Sequence, residues 1–160
     1  MSRKVTPAER IAANIETAGD CWMWTGYKNP SGYGLVKTYI DGRRTSTTAH
    51  RVSYEVANGP IPDGLVIDHI CHTHACVNPA HLRAVTNKQN SENKAGPTAS
   101  SKTGVQGVSW HKMGRKWVAR VVHNGKDHYI GLFTDINEAA AAVVAKRNEL
   151  FTHNDLDRVA

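Results

Sequence analysis

DHICHTHACVNPAHLRAVTNKQN, residues 68–90, holds an Asp-His pair, two of the chain's three cysteines, a histidine at 81 and an asparagine at 90. Cys71, Cys76 and His81 fall within eleven residues of one another. The turn formers Asn78-Pro79 between them let the chain double back and aim three side chains at one point. Cys21 can supply a fourth ligand. A tetrahedral Cys3His set uses every cysteine and leaves no open position for water, as structural zinc sites do. The competing reading makes the thiols small packed hydrophobes and His81 a surface residue. An odd cysteine count argues against a purely paired disulfide framework.

Asp68 and His69 need a separate account. The β-branched Val66-Ile67 before them suit a strand, and Thr86-x-x-Gln89 is a capping box that starts a short helix carrying Asn90. Strand, stapled loop and helix together gather Asp68, His69 and Asn90. Two oxygen ligands suit a hard divalent ion such as Mg2+ or Mn2+, and a histidine beside them can deprotonate water. In the alternative, His69 and His81 are both zinc ligands and Asp68 is a loop cap.

The run Asp68-His69, Cys71, Cys76, Asn78-Pro79, His81-Leu82 and Asn90 resembles the ββα-metal motif of HNH endonucleases, and its cysteine spacing is similar to that of the His-Cys box homing enzymes. Cys21-Trp22-x-Trp24, Gly32-Tyr33-Gly34, Ala49-His50-Arg51 and Asn58-Gly59-Pro60 resemble the N-terminal half of phage-type HNH proteins. The resemblance implies His69 as general base, Asp68 and Asn90 on one catalytic ion, and Cys21, Cys71, Cys76 and His81 on structural zinc. It also implies Arg51 near the scissile phosphate, with a packing role for its stem as the alternative. His81 stands where many HNH sequences have asparagine, and Asn93 rivals Asn90 for the metal. Similar His-Cys enzymes are dimers, which implies a homodimer that breaks both strands, whereas a monomer with an appended reader would nick.

The 160 residues allow one domain or two small ones, and small ones need a staple such as zinc. Net charge is +6, with ten Lys/Arg against seven Asp/Glu on each side of residue 90. That balance suits a polyanion such as double-stranded DNA. No apolar run is long enough to span a membrane and no signal segment opens the chain, so the expected place is the cytoplasm, that of the host cell or its nucleoid if a phage encodes it.

In order, Thr6-Pro7 opens a helix expected to continue to Ile15. Strands are expected near 21–25, 33–40 and 43–48, with a turn at Asp41-Gly42, and a helix from 48 to 57. Arg43 and Arg44 after the turn are candidate phosphate contacts. The polar stretch 91–103 ends the nuclease half, giving a domain at 1–93 and a linker at 94–103. Beyond it, 105–110, 117–123 and 128–133 read as three strands joined by turns, with Asn124-Gly125 a hairpin signal. Asp135 then opens an alanine-rich helix to about 151, with Ala139, Ala142, Val143 and Leu150 as its apolar stripe.

Gly107-Val108-x-Trp110, Lys116-Trp117-Val118-Ala119-Arg120, Tyr129-x-Gly131-x-Phe133 and Glu138-Ala139-Ala140 resemble the AP2 DNA-binding domain, which lays a three-stranded sheet into the major groove. The resemblance implies that Trp110, Arg115, Trp117 and Arg120 contact DNA, with Lys116 and His128 on the same uncovered face. The alternative places the tryptophans in the core and the arginines in solvent. The fold class expected is α+β: a zinc-stapled ββα-metal domain, then an AP2-like domain at 104–153. The function expected is a metal-dependent, homing-type DNA endonuclease. The alternative is a non-catalytic, zinc-stabilised DNA-binding regulator.

Overall fold

The computed structural model describes residues 5–40, 43–94, 96–97 and 101–158, with the side chains of 38–40, 43 and 44 excepted. The expected turn at Asp41-Gly42 and the side chains of Arg43 and Arg44 therefore lie outside the described residues. Helices are mixed with small antiparallel sheets, as the coarse α+β expectation requires. The chain divides into two compact units, Met1–Asn90 and Ser91–Ala160.

In the first unit α1 (Pro7–Ala12) starts on a capping box in which Thr6 and Glu9 satisfy each other's backbone N–H groups. It stops short of the expected Ile15. The Asn14 side chain donates to the Arg10 carbonyl and its N–H to that of Ile11, closing the last turn. Ile15 instead opens β1 (Ile15–Ala18), which pairs with β2 (Cys21–Trp24). The hairpin of β3 (Leu35–Ile40) and β4 (Arg43–Thr48) follows, then α2 (Ala49–Asn58), which ends at Gly59 with φ +86°.

The central motif consists of β5 (Val66–His69), a loop closed by a 3-10 turn at Pro79–His81, β6 (Leu82–Val85) and α3 (Asn87–Glu92). β5 and β6 pair antiparallel with Asp68 opposite Arg83. β6 was not foreseen from the sequence, because four residues without clear alternation carry little strand signal. The Thr86–Gln89 capping box forms as expected: Gln89 Oε1 accepts from Thr86 N at 2.9 Å, and Thr86 Oγ1 from Gln89 N at 3.2 Å.

Among the described residues Ile11, Trp24, Val36, Ala49, Val52 and Val77 form one core cluster of this unit, and Ile67, Cys76, Leu82 and Val85 are buried as well. Trp24 is hemmed in by glycine. A Cβ on Gly34 would lie 2.5 Å from Trp24 Cδ1, and one on Gly26 2.9 Å from its Nε1. Overpacking a rigid indole has no cheap relief, so Gly34→Ala is expected to destabilise the zinc-loaded protein by about 1–3 kcal/mol in urea unfolding. An unchanged midpoint would mean that the Trp24 pocket is looser than these distances.

In the second unit β7 (Val108–His111), β8 (Lys116–His123) and β9 (Lys126–Phe133) form an antiparallel sheet in that order. Asn124 (φ +51°) and Gly125 (φ +73°) make the tight turn that their dipeptide signals. α4 (Ile136–Leu150) is capped by Asp135, whose Oδ1 accepts from Asn137 N and Glu138 N. Ala139 and Val143 pack onto Val108, Ala119 and Val121. Arg147, outside the expected stripe, is also buried, held by Asp157 and Gln106. A last turn, α5 (Asp155–Arg158), follows.

This unit extends past the expected 104–153 at both ends. Glu92 Oε2 accepts from Thr152 N at 3.0 Å, and Asn93 Oδ1 from Asp155 N at 3.2 Å. Asn93 is buried in these contacts.

Candidate active site and metal centre

The loop after β5 is tied to β2: Trp24 N donates to Ala75 O, and Val77 N to Trp22 O, both at 2.8 Å. This places Cys76 beside Cys21 at the start of β2. Asn78 clamps the next turn. Its Oδ1 accepts from Ala80 N, and its Nδ2 donates to Asp20 O at 2.7 Å. The 3-10 turn that follows brings His81 back toward the cysteines.

The ligand atoms of Cys21, Cys71, Cys76 and His81 all lie within 4.8 Å of one another. Cys21 Sγ and Cys76 Sγ stand 3.5 Å and 3.6 Å from His81 Nδ1. Zinc–sulfur and zinc–nitrogen bonds of ordinary length at a tetrahedral angle put S and N about 3.6 Å apart. The donor set therefore fits zinc in both chemistry and size. All three cysteines are free thiols. Burial pushes the Cys76 thiol up to about 12, so metal binding there must expel a proton. His69 lies outside this set, which removes the alternative of two zinc-ligating histidines.

Asp68 and His69 end β5 and are both buried. His69 Nε2 lies 3.0 Å from the Cys76 carbonyl. A carbonyl only accepts, so Nε2 carries the proton and Nδ1 carries the lone pair of the neutral ring. Burial holds the His69 pKa below the usual imidazole range, against an opposing pull from the Cys76 carbonyl. A neutral, fixed imidazole is the state a general base requires.

Three aromatic rings wall His69 in. His50 meets it edge-on at 4.7 Å between ring centres, Tyr33 lies at 5.9 Å, and His74 stacks on Tyr33 at 4.4 Å. Burial, and then the charge of Asp68, raise the Tyr33 pKa, so its hydroxyl stays protonated. Burial, then the neighbouring His69, Arg51 and His74, lower the His50 pKa to about 3.

That depression has a stability consequence. The unfolded chain takes up a proton at His50 near pH 6.5 and the folded one only near 3, so the folded state loses ground as pH falls through this window. The loss is about 1.4 kcal/mol per pH unit at most. His50→Gln should flatten the fall in melting temperature between pH 6.5 and 4.5 relative to wild type, both zinc-loaded. Parallel curves would mean that His50 titrates normally.

Asp68 has a partner that sequence reading missed. Arg83 donates to Asp68 Oδ2 through Nε at 3.0 Å and Nη2 at 2.9 Å. The signal was the cross-strand pairing, visible only once β6 is recognised. Arg51 follows His50 on α2 and is half-buried. Asn90 is exposed on α3, its N–H bonded to Thr86 O, and its assignment to a metal rests on the resemblance.

In the second unit the expected DNA contacts divide. Trp117 packs against the helix-side core, and Trp110, its cross-strand partner, leans on it edge-on at 4.7 Å. Alternation along the strands places both on the α4 side of the sheet, against the expectation of base contacts. His128 is opposite buried Val121 and shares that side. Lys116 and Arg120 fall on the outward face, and Arg115 sits in the β7–β8 turn with φ +47°. Among the described residues no helix is long and apolar enough to cross a membrane.

Comparison with known proteins bears on the first unit most directly. Residues 47–92 match the family model described as HNH endonuclease. Protein 7.7 of Escherichia phage T7 is 44% identical over 46% of this chain and 53% of its own length. Protein 3.8 of the same phage is 37% identical over 63% of this chain and 82% of its own length. An uncharacterized HNH endonuclease of Acanthamoeba polyphaga mimivirus is 35% identical over 78% of this chain and 62% of its own. The chain thus spans about half the length of protein 7.7. The 78% covered by the mimivirus match exceeds what residues 1–90 alone provide, so that similarity runs into the second unit. No solved structure matches the chain. The β5–loop–β6–α3 motif, with its buried Asp-His pair and the Cys71, Cys76 and His81 members of the Cys3His set, thus lies in an HNH endonuclease domain, and the chain belongs to the same family as protein 3.8 of phage T7.

Proposed function

We propose that the protein is a metal-dependent endonuclease that hydrolyses phosphodiester bonds in double-stranded DNA, of the homing type, with sequence preference supplied by its AP2-like second unit. The observation that carries this is His69: buried, with Nε2–H on the Cys76 carbonyl, which makes Nδ1 the lone-pair nitrogen of the neutral ring. His69 Nδ1 takes the proton of a water that attacks phosphorus in line. Asp68 and Asn90 would hold a divalent ion, Mg2+ or Mn2+, which when bound would supply charge neutralisation to the reacting phosphodiester. Asp68, which accepts from Arg83 at Oδ2, is the carboxylate that would hold the ion. Arg51, near His50, holds the phosphate. The Cys3His zinc site holds the loop that aims His69.

One observation favours a second reading. Arg83, with two donors on Asp68 Oδ2, already neutralises the carboxylate, as expected of a non-catalytic, zinc-stabilised DNA-binding regulator. That reading makes Asp68 and Asn90 dispensable. The test is to incubate the zinc-loaded full chain with supercoiled plasmid and Mg2+ or Mn2+, beside an EDTA control and Asp68→Asn. Open-circular product indicates a nicking monomer and linear product a homodimer cutting both strands. Either must vanish in both controls. A wild type that binds DNA yet leaves plasmid and genomic DNA intact with both ions hands the case to the regulator.

A further inference from the structure

Asp68 and Arg83 face each other across the β5–β6 pair. Arg83 Nε and Nη2 both donate to one carboxylate oxygen, Oδ2, at 3.0 Å and 2.9 Å. A carboxylate oxygen has two lone-pair directions to offer, so these two N–H groups take up what Oδ2 can give. The Asp68 side chain is only 7% exposed, against 25% for Arg83. Solvent therefore screens the pair weakly where the carboxylate charge is used.

The reading above puts a divalent cation on this same carboxylate. A hard ion needs direct contact with oxygen, and its affinity rises with the negative charge its ligands bring. In the protein without DNA the guanidinium has already used that charge, and it repels a second cation beside it. Arginine does not shed its proton to make way, so it can only move. Something must receive it. A phosphodiester is the receiver that the proposed reaction supplies: its anionic oxygens match the guanidinium fork, and its charge draws the ion as well.

We infer that Arg83 occupies Asp68 until DNA arrives, then turns to a phosphate of the bound strand and releases the carboxylate to the ion. Ion and DNA bind as a coupled pair, and the protein alone holds the ion weakly. The inference rests on the DNA-cleaving reading above and deepens it by giving the order in which its site is filled. It also gives the ion pair a use in a nuclease, where the regulator reading makes it a fixed brace.

The test titrates Mn2+ into the zinc-loaded full chain, with and without a saturating short duplex, and follows free Mn2+ by electron paramagnetic resonance. A His69→Gln background keeps the DNA intact, and the duplex's own Mn2+ uptake is subtracted. The duplex should tighten Mn2+ binding by about tenfold or more, and Mn2+ should tighten duplex binding by the same factor, as linkage requires. Arg83→Gln removes the charge, so it should tighten Mn2+ binding without DNA by about tenfold or more and shrink the coupling. Arg83→Lys keeps the charge and should leave that binding weak. A fixed brace behaves differently: both variants then lose the grip on Asp68 and bind Mn2+ more weakly, which overturns the inference. Equal Mn2+ affinity with and without duplex in the chain that keeps Arg83 overturns it too. In both cases an Mn2+ site that Asp68→Asn abolishes leaves the cleavage reading standing. Mn2+ binding indifferent to Asp68→Asn, with DNA and without, takes the ion off this carboxylate and removes that reading together with the inference.

Discussion

His69→Ala is expected to load zinc, bind DNA and lose plasmid cleavage by about 10²–10⁴-fold, the usual contribution of a positioned general base. The size follows from how much rests on one ring. Its proton is fixed on Nε2 by the Cys76 carbonyl, its lone pair is on Nδ1, and burial keeps it uncharged. Because the ring is buried, alanine leaves a cavity against His50, so His69→Gln is the companion variant: it keeps volume and a donor toward Cys76 but cannot take the proton. Both should cleave equally poorly even though their melting temperatures differ. The same burial sets the pH dependence. Burial depresses the His69 pKa, so the acid limb of wild-type kcat/KM should lie below the ordinary imidazole range. Wild-type rates from either variant would falsify the base assignment.

Removing the metal from the Cys3His site should have the larger effect on folding. Structural zinc contributes about 10–16 kcal/mol in small zinc-dependent folds, as much as or more than the roughly 5–15 kcal/mol that holds a whole domain together. The first unit has few buried apolar side chains to offset that loss. Chelation, or Cys71→Ser, should therefore abolish its cooperative melting transition, lower the bound zinc from one per chain, and end cleavage. A chelated protein that still melts cooperatively and cuts DNA on added Mg2+ would show that the four ligands are packing residues. Zinc affinity should also weaken as pH falls, because the thiols must release protons to bind.

Much of this was legible before any coordinates. The Cys-x4-Cys-x4-His spacing, the Asp-His pair, the Thr86–Gln89 capping box and the Asn-Gly hairpin are local signals, each set by a few neighbouring residues. What stayed hidden depends on pairing between distant segments. Arg83 becomes a partner of Asp68 only through the β5–β6 register. The ring wall of Tyr33, His50 and His74 is assembled from three separate stretches. Ile15 has the right spacing for one more helical turn, yet it opens β1 opposite Trp24, a choice made by tertiary packing. Trp110 and Trp117 looked available to DNA because their side of the sheet cannot be read from composition. Strand alternation from Val108 and Ala119, both in the helix-side core, decides it.

The acceptor that orients His69 belongs to the main chain of Cys76. A carbonyl is present whatever residue occupies the position, so no single substitution can delete it. A change in this loop can only shift the carbonyl's direction. Damage to catalysis from loop variants should therefore be graded, following how far the loop's path moves, whereas damage at His69 is all or none. Aim in this site is encoded in the course of the backbone, and relatives lacking the cysteines would need some other means of holding that course.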